Sequence, residues 1–356
     1  MESSKQLLLN RSIQFLLVLL LIGLSGIRQA NATGINLEVN GFIDMSFSVY
    51  EDTNTNSYSL DEIELDFTGT IPDINGKLRF DMQSKGNGIF SMEQGYIEIP
   101  YTDLISLRLG RFNAPIGFEK QDAPDMYQYS YSMLFEYGLP HNLSGMMIIY
   151  NRKVIDLKIY LVNGWDENID DNNDKTVGTR LGLNLSDSFQ LGISYITGKE
   201  GVLDKESVPP KDPRLLTVTD ADLTWIISNL TIGAEYSIGT YKERSQVTAW
   251  KGTTDSNWNA WLIMTHYDFN DTYGLTFRYD VFDDEDGERF TAWRLGNAVD
   301  ESRRSWTIAP TFHIAKSLNA VIEFRQFYSD HDVFPDKKGN AEKDMETYAV
   351  EITYSF

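Results

Sequence analysis

Residues Tyr348–Phe356 (YAVEITYSF) place apolar side chains at 348, 350, 352, 354 and 356, with Ala349, Glu351, Thr353 and Ser355 between them. Successive side chains of a β-strand point to opposite faces, so this stretch reads as a strand with one apolar and one small or polar face, closing on an aromatic. Alone it fits a sandwich, a small soluble barrel or a membrane wall. The rest of the chain decides between them.

Period-2 alternation recurs throughout. It is cleanest where Ile35, Leu37, Val39, Ile43, Met45, Phe47 and Val49 alternate with Asn36, Glu38, Asn40, Asp44, Ser46 and Ser48. It returns at Ile63/Leu65/Phe67, Leu78/Phe80/Met82, Ile105/Leu107/Leu109, Ile155/Leu157/Ile159/Leu161, Phe189/Leu191/Ile193/Tyr195, Tyr273/Leu275/Phe277/Tyr279 and Leu318/Ala320/Ile322/Phe324. With weaker segments at 145–151, 215–226 and 257–268, about sixteen strands emerge. In 257–268 both parities are apolar, so the outward face is left open.

Two kinds of connection alternate strictly. Tight turns at 72–76, 101–103, 151–153, 186–188, 227–229, 269–272 and 315–317 separate links at 51–56, 86–89, 113–144, 164–175, 199–214, 240–256, 283–302 and 330–345, most of them long and polar. This predicts an all-β fold: a closed antiparallel transmembrane β-barrel with short periplasmic turns and long extracellular loops. A secreted sandwich or propeller also alternates, but no blade motif repeats, and a sandwich would have to hide a large apolar band. Aromatics near strand ends, such as Tyr348 with Tyr354, fit interfacial girdles.

The first 32 residues have Lys5 and Arg11, an apolar run near 13–24 and Ala30-Asn31-Ala32, the pattern of a signal peptide cleaved after Ala32. The alternative, an uncleaved anchor, is disfavoured by a run that is short for a bilayer and broken by Gly23, Ser25 and Gly26. The expected mature barrel domain, 33–356, keeps 28 basic and 51 acidic residues, a net charge of about −23. Such a chain is a poor partner for nucleic acid. The absence of Cys excludes disulfides and thiolate sites, and no cofactor is expected.

Sixteen strands leave room for an aqueous channel. Loop 113–144 is the longest connection and is rich in Phe118, Met126, Tyr127, Tyr129, Tyr131, Met133, Leu134, Phe135 and Tyr137, which are costly to leave in water. It is expected to fold into the lumen, carrying Glu119, Lys120, Asp122, Asp125 and Glu136 to a constriction. The alternative is a loop that packs on itself or on a neighbouring subunit. The polar parity of the strands supplies the other pore-lining candidates: Glu62, Glu64, Arg79, Asp81, Arg108, Lys158, Arg180, Arg278, Asp280, Glu323 and Arg325. Over the whole lumen face carboxylates outnumber basic groups 14 to 6, which points to a weak cation preference. Same-face pairs such as Arg79/Asp81 and Arg278/Asp280 either set a transverse field or form salt bridges in the wall.

Gly110-Arg111-Phe112-Asn113-Ala114-Pro115-Ile116-Gly117-Phe118-Glu119, then Pro140 and Gly145, then Asn163-Gly164-Trp165-Asp166, resemble the OmpL-like β-barrel porins, similar in appearance to phosphate-selective porins. The resemblance spans nearly all of the mature chain and is sharpest in 105–180. It implies passive diffusion of small hydrophilic solutes or ions across the outer membrane of a Gram-negative-type bacterium, among lipid and lipopolysaccharide, with a homotrimer as the implied assembly. The chain lacks the dense Arg/Lys ladder that phosphate selectivity would need. Phe356 resembles the carboxy-terminal signal read by the barrel-assembly machinery.

Asp166, Asn168, Asp170 and Asp174, and the run Asp283–Glu288, cluster oxygen ligands of the kind Ca²⁺ uses, without full EF-hand spacing. A solvated acidic loop is the alternative reading. An outer-membrane hydrolase finds no support at His141, His266, His313 or His331, none of which comes with a nucleophile motif. A structural or adhesive barrel with a closed pore is the remaining alternative.

Overall fold

A computed structural model describes residues 36–50, 55–86, 89–201, 213–242, 255–290 and 300–356. The expected signal peptide, 1–32, lies outside the described residues. The strands in chain order are β1 (Asn36–Tyr50), β2 (Thr55–Ile71), β3 (Gly76–Lys85), β4 (Phe90–Pro100), β5 (Ile105–Asn113), β6 (Asn142–Arg152), β7 (Ile155–Val162), β8 (Thr176–Ser186), β9 (Phe189–Glu200), β10 (Arg214–Ile227), β11 (Leu230–Lys242), β12 (Ser256–Asp268), β13 (Tyr273–Asp284), β14 (Glu301–Ala315), β15 (Leu318–Ser329), a two-residue hairpin β16 (Phe334–Pro335) and β17 (Ala341–Glu342), and β18 (Asp344–Ser355).

The sixteen long strands pair in sequence, each antiparallel to the last, and β18 returns to β1 to close the barrel. The closing seam runs from Phe42↔Ser355 to Tyr50↔Thr347. It is extended by Gly41 and Phe356, whose backbone N–H and C=O groups exchange hydrogen bonds of 3.0 and 3.1 Å. Closure pairs every strand edge, which is the condition for β-structure in a bilayer.

The apolar parity faces outward. Met45, Ile193, Ile263, Phe277, Ile322, Val350 and Ile352 are exposed, while their neighbours Asp44, Ser46, Ser194, Thr276, Arg278, Glu323 and Glu351 are buried. Outward aromatics contact one another across strands at the short-turn end (Phe189–Trp225 6.0 Å, Tyr273–Phe312 5.8 Å) and nearer the long-loop end (Trp306–Phe324 and Phe324–Tyr348, each 4.9 Å).

Four ladders carry a register shift: two beside the tight turns, at Asn184/Ser186 and His313/Ala315, and two within the wall. In the β1–β2 ladder Asp44 pairs with Glu62 and Met45 with Leu60, so Asp61 is the extra residue. In β3–β4, Phe80 pairs with Gly95 and Met82 with Met92, so Glu93 and Gln94 oppose Asp81 alone. A bulge changes which parity faces inward. As a result Asp61 joins Glu62 on the inner wall, and Glu93 and Gln94 are both buried.

The interior is not uniformly polar. Phe112, Leu143, Met147, Tyr160, Val162, Ile196, Leu216, Val218, Trp258, Ala260 and Phe282, from the long-loop half of β5–β7, β9, β10, β12 and β13, form an apolar cluster inside the barrel. This settles the parity of 257–268: Trp258, Ala260, Leu262 and Met264 point inward, and Trp261, Ile263 and Tyr267 point to the lipid side. What occupies the lumen there is the third loop, and its Ile116, Met133, Leu134 and Leu139 complete the cluster.

Candidate functional site: a loop seated across the barrel

The third loop, L3, connects β5 to β6 over residues 114–141. Its launch is encoded by the Gly110–Glu119 stretch. Phe112 is buried in the internal cluster, and Arg111 donates to the Glu93 carbonyl (3.0 Å). Gly117, at φ +85°, then turns the chain inward. A Cβ there would meet Glu235 Oε1 at 2.6 Å and the Leu139 side chain at 2.7 Å, so the position requires glycine. The turn delivers the Phe118 N–H to Glu235 (2.9 Å) and lays the Phe118 ring on Gly233 of β11, which has no side chain to displace it. Gly117→Val should unseat L3 without opening the barrel wall, read as loss of protection from proteases in L3 with unchanged heat-modifiable migration of the barrel.

Beyond this turn L3 is held by buried charge. Arg278, fully buried on β13, donates to Glu119 Oε1 (2.8 Å), to the Ser130 carbonyl (2.6 Å) and to the Tyr131 carbonyl (3.2 Å). Arg325 on β15 donates to the Tyr131 carbonyl (2.6 Å), to Ser130 Oγ (3.0 Å) and to Asp280 Oδ1 (3.1 Å). Asp280 accepts from the Met133 N–H (2.8 Å), and Glu323 accepts from the Ser130 N–H (3.0 Å). Glu119 also accepts from Gln128 (3.0 Å) and from Ser132 through both N–H and hydroxyl. Ser132 in turn receives the Phe135 N–H at the start of a wide turn, Leu134–Gly138, on which Tyr131, Phe135 and His141 stack. Charge-assisted bonds to backbone groups fix a loop in one register.

This arrangement revises several expectations. Glu119 is buried as an anchor of the loop and at the same time borders the smaller of the two cavities beside L3. Of the expected same-strand pairs, Arg79/Asp81 forms at 2.6 Å and Arg278/Asp280 at 3.8 Å. Asp156 also pairs with Lys158. Glu323 and Arg325 instead go to L3 and to Asp280. Arg180 clamps Asp222 through two bonds (2.6 and 2.9 Å), and Arg108 holds Glu98 (2.7 Å) beneath Tyr96. These are ion pairs of the wall.

Two cavities lined by described residues flank L3. One of about 420 Å³ lies between L3 and the β1, β2, β15 and β18 wall and is lined by Asp44, Asp61, Glu62, Lys85, Glu136, Glu323, Arg325 and Glu351. The other, about 280 Å³, holds Lys120 and Asp125 of L3 with Arg180 and Asp222. Glu64 and Asp81 lie outside both linings, fully buried in the β2–β3 wall. Asp122 of L3 is half-buried, within range of the Glu93 and Asp66 charges. Desolvation, with the nearby carboxylates of Glu93, Asp125 and Asp66, pushes it up to about 7.

In the link 164–175, loop 4, the candidates Asp166, Asn168, Asp170 and Asp174 are engaged separately, and Asp170 lies instead with Glu167 and Asp171 in a carboxylate cluster within 4.8 Å. Asp166 accepts the His141 and Asn142 N–H groups (2.7 Å each), Asn168 meets Ser144, Asp170 pairs with Lys175, and Asp174 pairs with Lys199. In the 283–288 run, Asp284 accepts three backbone N–H groups from Glu288, Arg289 and Phe290 and sets Phe290 into the internal cluster. Both clusters are used as loop staples.

The profile of the family described as "Putative beta-barrel porin-2, OmpL-like" matches residues 37–356. The chain belongs to this porin family. No curated protein matches it by sequence. Solved outer-membrane proteins share its fold: OmpT of Vibrio cholerae in a trimer form (13% identity, 91% of this chain and 100% of that one, TM-score 0.63), an anion-selective porin from Comamonas acidovorans (10%, 91% and 100%, 0.64) and Salmonella typhi OmpF in complex with daunomycin (15%, 90% and 97%, 0.65). The porin is thus a channel-type barrel of the outer membrane of a Gram-negative-type bacterium. The motif that carried the resemblance is where this porin launches L3.

Proposed function

We propose that the porin is a diffusion channel for small hydrophilic solutes and ions, with L3 setting its bore and a weak preference for cations. The observation that carries this reading is the larger cavity: beside the seated loop, Asp44, Asp61, Glu62, Glu136, Glu323 and Glu351 face Lys85 and Arg325. A carboxylate-rich passage with low-dielectric walls concentrates cations and selects by sign. The deciding experiment is planar-bilayer recording in a salt gradient. A reversal potential of the cation-selective sign is expected, and one of the anion-selective sign overturns the preference. Deleting 118–137 is expected to raise single-channel conductance, and no rise overturns the role of L3.

The same reading places the barrel among lipid and lipopolysaccharide, inserted by the assembly machinery through Phe356 and associated as a homotrimer, as the Vibrio relative's trimer form suggests. Catalysis is not part of it. His266 touches Thr276 (2.9 Å) and Asp268 (3.0 Å), but the Thr276 hydroxyl gives its proton to the Tyr127 carbonyl (2.6 Å) and so is not aligned as a nucleophile.

A further inference from the structure

The carboxylates of Glu62 and Glu64 on β2 and Glu93 on β4 come within 4.8 Å of one another. Glu64 is 0% and Glu93 1% exposed, and among the described residues neither carboxylate oxygen of either side chain has a hydrogen-bond partner. The ladder places Gln83 of β3 directly opposite Glu64. Its side chain is 8% exposed, and its carbonyl oxygen is also buried without a partner. Asp122 of L3, with an unpartnered Oδ1, acts electrostatically on Glu62, Glu64 and Glu93.

The neighbouring basic groups do not reach these oxygens. Arg79 is bound to Asp66 and Asp81, Lys85 approaches only Glu62 at 3.7 Å, and Arg111 donates to the Glu93 backbone carbonyl rather than its side chain. A buried carboxylate left without a donor is strongly disfavoured. Two packed together require a positive charge between them or a shared proton. The bulge in β4 is what turns Glu93 inward, so the cluster is built by a local departure from strand geometry that re-aims a side chain.

We propose that Glu62, Glu64 and Glu93 bind a divalent cation of calcium's chemistry at the barrel wall, with Gln83 supplying a neutral oxygen and Asp122 bringing L3 to the ion. Hard, oxygen-only ligation with several carboxylates and a carbonyl is what Ca²⁺ takes, at 2.3–2.6 Å with six to eight ligands. The ion then tethers L3 to the β2–β4 part of the wall, separated from its arginine anchors on β15 and β13 by β1 and β18. This goes beyond the diffusion-channel reading and does not depend on it.

The test is calorimetric titration of the refolded, chelator-treated porin with CaCl₂, with MgCl₂ in parallel. One saturable Ca²⁺ site per chain is expected, weakened by roughly tenfold or more in Glu93→Gln and in Glu64→Gln, and unchanged in Asp170→Asn of loop 4. Folding of each variant is checked by heat-modifiable migration, and Asp122→Asn, on the loop rather than the wall, serves if a wall variant fails to fold. No saturable binding in the unsubstituted porin overturns the site, as does Ca²⁺ binding that Glu64→Gln and Glu93→Gln leave at full strength. A shared proton in place of the ion predicts the first of these results. Conductance measured in chelator tests the channel reading separately.

Discussion

Arg278→Met is expected to free L3 and raise single-channel conductance, while lowering the stability of the seated state by about 3–5 kcal/mol, the usual result of removing one partner of a buried ion pair. The arginine is fully buried, and its loss leaves Glu119 without its counter-charge and the Ser130 carbonyl without its 2.6 Å donor, while the Tyr131 carbonyl keeps Arg325. The discriminating variant is the double substitution Glu119→Leu with Arg278→Met. Removing both charges takes away the penalty of the stranded carboxylate, so the double variant should be more stable than Arg278→Met alone. Chemical denaturation of the four proteins of this cycle, with bilayer conductance on each, measures both effects. A double variant no more stable than the single one would show that the pair does not hold the loop.

The second large effect is expected at the seam. A Cβ on Gly41 would stand 2.2 Å from the Glu64 carbonyl and 3.0 Å from the Phe356 ring. Gly41→Val therefore pushes apart β1, β2 and the end of β18 at once, and an open edge in lipid leaves several kcal/mol of backbone polar groups unsatisfied. The outcome should be failure to form the heat-modifiable barrel on refolding, rather than a barrel of altered conductance. Removing Phe356 takes away both backbone bonds to Gly41 and should act in the same direction, lowering insertion before it changes transport. A folded Gly41→Val barrel with normal migration would refute this account of closure.

The alternation of strands such as β1 and β18, and the alternation of tight and long connections, were legible in the sequence because lipid demands one apolar face and closure demands antiparallel neighbours. The inward course of L3 was legible from its aromatics. Glu93 and Asp61 were not read as lumen groups, because a bulge changes parity without leaving a mark in residue type. The 257–268 segment was ambiguous for a physical reason: one face meets lipid and the other meets L3, so both are apolar. The role of Glu119 was hidden by distance along the chain. The residue was found, but its partner Arg278 lies 159 positions away.

Those separations bear on how the molecule folds. L3 emerges early, yet Phe118 waits for Glu235, Glu119 for Arg278 and Ser130 for Glu323, at separations of 117, 159 and 193 residues. Contacts so remote in sequence form late, because the intervening chain must first be ordered. Until β13 and β15 are in place, Glu119 and the L3 backbone remain hydrated and the internal apolar cluster has no lid. Docking of L3 can thus be completed only once β15 is in place, with the β1–β18 seam alone requiring chain further on, and its protection from proteolysis reports that the wall has formed through β15.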